Sequence, residues 1–418
     1  MRNPRAYRLF LVARFCLALP SWIVVAVYLV RVAKLDPLQL VLMGTVMEAA
    51  VFCFEVPSGV VADLVSRRLS FGVGWLLQGG AWALAGATTS FGIILAAWVI
   101  WGIGATLESG AFEAWITDEV GAEHVGHVFV RGAQAMYAGS LVGLVASIGL
   151  ATWSIRAAIY AAGAITVAMG IVALTAMPET GFVPATHEGR SHGRAMVDTA
   201  LRGAHLVRRA PVLVLLVATA LFAGAASEGF DRLGEAHLLR DIGMPNLFGL
   251  DPLWWFAVLG SGSLLIGLVA VDVVRRRLGP GSPARMAKIL FLLSALQVVS
   301  MLGFALASAF ALAVAAVWLI SLARSLIRPV YSTWLNQSIE DSSVRATVNS
   351  LASQADAIGE VAGGPGVGVI GNVLSIPAAL TASGLLLTPA LALYARAIRN
   401  HGTEPELEQL PQAVQAGA

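Results

Sequence analysis

The sequence predicts an all-α polytopic membrane protein with twelve transmembrane helices in two pseudo-symmetric six-helix bundles. Composition, the number of apolar runs and an internal repeat predict this fold class. Of the 418 residues, 57% are hydrophobic and 12% are charged, whereas soluble domains contain about 25% charged residues. A soluble fold of this length needs a more polar surface, so the chain is predicted to lie in a membrane.

A membrane-spanning helix needs about 20 mostly apolar residues. Twelve such runs follow one another along the chain, and the longest polar segment separates the sixth from the seventh. We therefore predict an N-terminal bundle over 1–177, a cytoplasmic linker over 178–210, a C-terminal bundle over 211–400 and a flexible cytoplasmic tail over 401–418. The predicted spans, numbered 1 to 12, cover 9–32, 38–62, 69–89, 91–117, 129–152, 155–177, 211–236, 252–274, 287–307, 309–332, 347–371 and 374–397.

The linker carries apolar residues at helical spacing between Arg194 and Arg209, with several arginines among them. This pattern is typical of an amphipathic helix lying on the inner leaflet of the membrane. A plain, positively charged linker is the alternative that the sequence leaves open.

The distribution of Lys and Arg predicts the orientation of the chain. With the N-terminus in the cytoplasm, almost all loop arginines and lysines fall on the cytoplasmic side. Both termini are therefore predicted to be cytoplasmic, in agreement with the even number of spans. The exceptions in outer loops are Arg31, Lys34, Arg156 and Arg240.

An internal repeat relates the two bundles. Trp115 closes span 4 and Trp334 closes span 10, and a polar loop follows each one. An arginine then precedes the next span, Arg131 in the first half and Arg345 in the second. Two six-span halves repeated in parallel describe a known transporter architecture.

A charged stretch joins spans 2 and 3, and it carries a recognisable spacing of residues. The signature of one large class of transporters has this spacing: Gly, three residues, Asp, a basic residue, one residue, Gly and two basic residues. Leu64 and Ser66 depart from it by replacing the first basic residue and the second Gly. The residues that match are Gly59, Asp63, Arg67 and Arg68.

On this motif and the twelve spans, the chain resembles the major facilitator superfamily along its whole length. The resemblance implies that the four matching residues form a conformational latch of the outward-facing state. Asp63 is then expected to face the N-terminal end of span 11, where the helix dipole favours a carboxylate.

Two further segments, Glu108–Trp115 and Ser227–Leu233, are similar to the bacterial branch that contains macrolide and multidrug efflux proteins. This similarity implies an efflux antiporter. The chain departs from the drug-antiporter signatures in two places. Span 4 lacks their membrane arginine, and span 5 has Gly139 and Gly143 without their Gly-Pro pair.

Charged residues inside the spans are candidates for gating or coupling, because a lipid-facing charge at mid-bilayer costs at least about 2.5–3.5 kcal/mol. Depth along a span follows from the rise of 1.5 Å per residue. Arg14 and Glu55 lie at similar depths in neighbouring spans, so we expect them to pair. A static structural ion pair is the alternative to a coupling role.

Glu108, Arg324 and Asp356 lie at similar depths in spans 4, 10 and 11. In the family, spans 1, 4, 7 and 10 line the central cavity, and spans 4, 5, 10 and 11 meet at the inner gate. The resemblance therefore implies one charged layer that couples protonation to the gate, with purely structural pairing as the alternative. Glu113 and Arg328 lie closer to the cytoplasm and are expected at the rim of the gate.

Glu48 and Glu360 lie nearest mid-membrane and are expected to be proton sites or to be hydrogen-bonded within their own half.

Glu228, Asp231 and Arg232 lie in the outer half of span 7. Glu228 and Arg232 are four residues apart, so they share a helix face and can pair. This group is expected to form an outer gate or a contact for a cationic substrate; a local helix-end salt bridge is the alternative.

The chain shows no sign of enzyme chemistry. It has no Walker loop, and we predict no catalytic residue, no cofactor and no metal site. Arg275 to Arg277 flank a span and are typical of positive-inside anchors, so no nucleic acid partner is expected.

The sequence thus favours a multi-pass protein of the cytoplasmic (inner) membrane. We expect a monomeric secondary transporter that moves a small organic molecule by alternating access, through proton-coupled efflux of a drug or metabolite. Aliphatic spans with few polar side chains favour an apolar or weakly cationic substrate. A metabolite importer or facilitator on the same fold and a non-transporting membrane sensor are the alternatives.

Overall fold

The computed structural model describes residues 3–183, 205, 207–277, 282–339 and 345–401, and the named elements in these ranges are helices. They follow the predicted order of twelve spans. Spans 1 to 6 are Pro4–Cys16 with Trp22–Arg31, Pro37–Leu64, Arg67–Ala87, Phe91–Glu108 with Ala111–Val120, Val125–Trp153 and Ile155–Ala176. Spans 7 to 12 are Pro211–His237 with the π-helical turn Leu238–Ile242, Trp254–Arg277, Pro283–Ala305, Phe310–Gln337, Arg345–Val373 and Ile376–Leu386 with Thr388–His401.

Nine of the described segments are long and apolar enough to cross a membrane, judged by length and composition. Spans 1, 3 and 11 complete the twelve. Span 1 is divided into two short helices, and span 11 carries polar residues such as Asp356 and Glu360 along its length. A helix of this polarity is stable in a bilayer only where its polar side chains face protein or water.

Three predicted spans are divided into two helices rather than continuous, and span 12 is divided at Leu387. Span 1 is not helical between Leu17 and Ser21, because Pro20 lacks a backbone N–H and clashes with the preceding turn. Span 4 breaks at Gly110, whose φ of 69° is accessible mainly to glycine. The short helix Ala111–Val120 therefore takes its own direction, which decides the partners of the charges near it.

Ser and Asp residues start several spans, as is usual for helix N-termini. Asp36 accepts a hydrogen bond from the backbone N–H of Gln39 at 2.9 Å, and the Gln39 side chain accepts one from the Asp36 N–H at 3.1 Å. Ser66 caps span 3 through the N–H of Leu69 at 2.9 Å. Span 2 continues to Leu64 and includes Gly59 and Asp63, so only Val65 and Ser66 separate it from span 3.

Both described chain ends lie on the same face of the helical bundle, which we call the terminal face; the other is the opposite face. The two halves pack on each other through spans 2 and 11, 2 and 7, 1 and 7, and 5 and 8. Among the described residues, spans 4 and 10 make no comparable packing with the other half. The Leu38 N–H donates to Asn372 Oδ1 across the halves at 3.0 Å, near the opposite face. This conformation is therefore closed at the opposite face.

The predicted amphipathic helix between Arg194 and Arg209 lies mostly outside the described residues. Its described part, His205 and residues 207–209, is helical. The predicted tail lies outside them beyond His401. The linker begins in the described part as a non-helical segment from Pro178 to Val183.

Candidate functional site

Span 7 places an ion pair in the interior of the protein. Arg232 Nε donates to Glu228 Oε1 at 3.1 Å, one helical turn away, as the spacing predicted. The Glu228 side chain is 3% exposed. Gly44 of span 2 packs directly on this pair, because a Cβ at Gly44 would overlap Glu228 Oε1 and Arg232 Nε. The pair is thus enclosed between the two halves rather than solvated at a helix end.

A second ion pair joins span 7 to span 10. Arg324 NH1 donates to Asp231 Oδ1 at 2.6 Å, and the Arg324 guanidinium lies 5.1 Å from the centre of the Phe230 ring. Both side chains are partly exposed, 44% for Asp231 and 31% for Arg324. This pair therefore joins two spans of the C-terminal half and leaves part of the Asp231 carboxylate accessible.

Further carboxylates surround these pairs. Spans 7 and 11 pack closely here: a Cβ at Gly224 would lie 3.0 Å from Asp356 Oδ1, and one at Gly364 would lie 3.1 Å from Glu228 Cγ. Arg328, Glu48 and Arg324 lie within electrostatic range of Asp356, and Glu48, Asp356 and Glu228 lie within that range of Glu360. Carboxylates therefore outnumber guanidinium groups at this site. Ionisable residues inside membrane spans commonly mark the pathways of ions, protons or substrates. We call this group the central cluster: Glu48, Glu228, Asp231, Arg232, Arg324, Arg328, Asp356 and Glu360.

Glu108 does not belong to the central cluster, so the expected layer of Glu108, Arg324 and Asp356 is corrected. Glu108 Oε2 accepts a hydrogen bond from Gln78 Nε2 of span 3 at 2.9 Å, inside the N-terminal half. Arg324 instead pairs with Asp231. Equal depth along two spans does not tell which way each side chain points, and the contact between spans 3 and 4 decides this for Glu108.

The expected pair of Arg14 with Glu55 is also not the pair that the structure contains. Arg14 forms its ion pair with Glu113, and its guanidinium lies 5.3 Å and 5.2 Å from the ring centres of Phe10 and Phe112. Glu55 accepts a hydrogen bond from Ser109 Oγ at 3.1 Å. The break at Gly110 turns Glu113 toward span 1, which no count of residues along the chain could show.

The motif between spans 2 and 3 forms contacts within the N-terminal half. Arg67 pairs with Asp118 of span 4 and more loosely with Asp63, at 3.4 Å. The Asp63 side chain is 61% exposed, and in the described residues its ion-pair partner is Arg67 rather than span 11. A Cβ at Gly59 would meet open space.

The start of the linker is fastened to this motif by contacts that the sequence did not predict. Glu179 accepts hydrogen bonds from Ser66 Oγ at 2.7 Å and from the Arg68 N–H at 2.9 Å. Glu119 accepts from the Gly181 N–H at 2.8 Å and from Asn3 Nδ2 at 2.6 Å. The only sequence signal was an acid placed directly after Pro178 at the end of span 6.

Arg240 joins the two halves at the opposite face. It is one of the four basic residues that the distribution of Lys and Arg placed in outer loops. Its guanidinium donates to the backbone carbonyl of Leu35 at 2.7 Å and to that of Val30 at 3.3 Å. These carbonyls lie at and after the C-terminal end of the second helix of span 1, where free carbonyls favour a cation. The π-helical turn Leu238–Ile242 carries Arg240 to this position.

Replacing Arg240 by alanine is expected to weaken closure of the opposite face, because both hydrogen bonds between the halves at this point are lost. Each hydrogen bond from a charged donor contributes about 1.5–3 kcal/mol, so the ratio of closed to open molecules should fall at least about tenfold. Distance measurements between spin labels on the loops after spans 1 and 7 would detect the change. The variant Lys34→Ala, on the same face, is the control. We call the two hydrogen bonds of Arg240 to Leu35 and Val30 the Arg240 clamp. An unchanged distance distribution in Arg240→Ala would contradict a role of this clamp in closure.

The two six-span halves, their packing at the opposite face and the charged residues enclosed between them define a membrane transporter rather than an enzyme. The chain belongs to the Major Facilitator Superfamily, whose sequence profile matches residues 10–304. It is 24% identical over 376 residues to "Uncharacterized MFS-type transporter YxaM" of Bacillus subtilis (strain 168), covering 90% of each chain.

Solved transporters have the same fold. The nucleoside transporter NupG aligns with a TM-score of 0.75 at 13% identity, over 94% of this chain and 98% of that chain. A bacterial homolog to the human lysosomal transporter Spinster, in an inward-facing and unoccupied conformation, aligns with a TM-score of 0.72 at 13% identity, over 96% and 98%. Likenesses at this level of identity concern the fold alone.

Proposed function

We propose that this protein is a proton-coupled transporter that exports a small organic molecule across the cytoplasmic membrane, acting as a monomer. The observation that carries this proposal is the central cluster, in which carboxylates outnumber arginines at the junction of the two halves. A carboxylate that binds either a proton or a cationic substrate, but not both, exchanges one for the other. Exchange at a single site is sufficient to couple outward movement of substrate to inward movement of protons.

The orientation follows from the loop charges. Arg67, Arg68, Arg131 and Arg345 lie at the terminal face, and cytoplasmic loops are enriched in Lys and Arg. We take the terminal face as cytoplasmic. The closed opposite face is then the extracellular side, and the conformation described above is the one that receives substrate from the cell.

An aromatic group on spans 1 and 4 and a partly exposed carboxylate on span 7 support a substrate with an apolar body and a weakly cationic group. Trp22, at the break of span 1, is 42% exposed, and its ring centre lies 4.7 Å from that of Trp101 in span 4. Indole rings contact apolar surfaces and attract cations. Asp231, partly exposed on span 7, supplies a carboxylate for the cationic group.

Transport assays test this function directly. Everted membrane vesicles carrying the protein are expected to accumulate ethidium or a macrolide when their interior is acidified, and to lose the accumulation when the pH gradient is dissipated. Deleting the gene should raise drug susceptibility, and overexpression should lower it.

Uptake of a metabolite with no change in susceptibility would favour an importer or facilitator. Normal function after joint replacement of Glu48, Glu108, Asp356 and Glu360 would favour a sensor.

The motif between spans 2 and 3 acts, in this proposal, as the latch of the outward-facing conformation. Asp63 is exposed here because the terminal face is open, and it is free to engage span 11 when that face closes. Asp63→Asn is therefore expected to slow transport without changing which substrates are carried. Initial rates for several substrates would measure this; a changed order of preference would contradict a latch. Arg68→Lys, which retains the positive charge, is the control.

A further inference from the structure

Two arginines of the opposite face line one cavity. Arg31 ends span 1 and Arg156 begins span 6, and the cavity between them has a volume of about 350 Å³. Asp251 and Leu253, from the loop before span 8, complete the wall. The cavity is therefore built from both halves of the protein.

The position of this cavity is the edge of the membrane. Trp153 lies in its wall and is 81% exposed, and exposed tryptophans at the ends of spans are typical of the boundary between lipid and water. Arg31 and Arg156 are also two of the four basic residues that break the charge bias. Arg240 is a third such residue, and its position is explained by its hydrogen bonds to Leu35 and Val30. The positions of Arg31 and Arg156 are not explained by those contacts.

The electrostatics of the cavity favour an anion. Neither Arg31 nor Arg156 forms an ion pair with any residue that the structure describes. Asp251, the one acid in the wall, already accepts a hydrogen bond from the Leu253 N–H at 2.8 Å. Span 6 begins here as a helix of 22 residues, and its first N–H groups add a partial positive charge.

From this placement we infer that the cavity binds the phosphate group of a phospholipid in the leaflet at the opposite face. Guanidinium groups hold phosphate through paired, charge-assisted hydrogen bonds. The acyl chains would leave the cavity past Trp153 into the bilayer. This inference does not depend on the direction of transport.

Thermal unfolding of the purified protein in detergent tests the inference. Dioleoylphosphatidylglycerol is expected to raise the unfolding temperature, and dioleoylglycerol, which has the same acyl chains without phosphate, is not. In Arg31→Gln/Arg156→Gln the stabilisation should disappear, with at least about tenfold weaker lipid binding, since each lost charge-assisted hydrogen bond is enough for such a change. Lys34→Gln removes an equal charge from the same face outside the cavity and should behave as wild type.

Three outcomes would overturn the inference. Equal stabilisation by dioleoylglycerol would show that the phosphate is not recognised. Equal stabilisation of the double variant would place the lipid elsewhere. The same rise with inorganic phosphate alone would make the ligand a free anion instead of a lipid. Native mass spectrometry of the wild-type protein with the two lipids needs no variant, and selective retention of the phospholipid is expected.

Discussion

Replacing Arg232 by glutamine is expected to destabilise the protein strongly and to abolish transport. The Glu228 side chain is 3% exposed, and without Arg232 it stays enclosed against span 2 with no counter-charge. Breaking a buried ion pair by removing one partner costs about 3–5 kcal/mol. Thermal unfolding in detergent and transport in proteoliposomes would measure the two effects.

Two controls separate the cost of leaving a buried charge unpaired from the cost of losing an exposed ion pair. Arg276 and Asp272 form the same kind of pair, four residues apart at 2.7 Å, but Arg276 is 72% exposed. Arg276→Gln should therefore cost only about 0.2–1 kcal/mol. The double variant Glu228→Gln/Arg232→Gln should regain much of the lost stability. If Arg232→Gln unfolds no more easily than Arg276→Gln, the enclosed pair is not important for the fold.

The second large effect is expected in the coupling of transport to protons. Asp356→Asn and Glu360→Gln each remove one carboxylate of the central cluster. Accumulation driven by a pH gradient should be lost in both, because no proton is exchanged for the substrate. Exchange of substrate for substrate should remain, since that step needs no net proton movement. Proteoliposomes assayed with and without a pH gradient measure the two modes.

Glu108→Gln is the matched control for these variants. From the sequence, Glu108 and Asp356 had the same expected role, but Glu108 is bonded to Gln78 within one half. A glutamine oxygen can accept the same hydrogen bond, so this variant should retain gradient-driven transport. Undiminished accumulation in both Asp356→Asn and Glu360→Gln would remove the central cluster from the coupling mechanism, and a loss in Glu108→Gln alone would move it to the N-terminal half.

Charge pairs within one helix could be predicted, and pairs between helices could not. Glu228 and Arg232 are four residues apart, and the helical repeat alone puts them on one face. Arg14 and Glu55 had only similar depth in common. Depth does not define the rotation of a helix about its axis. The true partner of Arg14 is Glu113, which the break of span 4 at Gly110 turns toward span 1.

The sequence by itself determined that the protein is helical, that it lies in a membrane and that it consists of two related halves of six spans. These properties follow from composition, the length of apolar runs and their repetition, each of which can be counted along the chain. Only the tertiary structure decided which intramembrane charges meet. It gathered Glu48, Asp231, Arg324, Asp356 and Glu360 from four different spans, and it separated Glu108 from them. The reason is physical: the packing of one span against another sets the direction of every side chain, and that packing depends on residues far apart in the sequence.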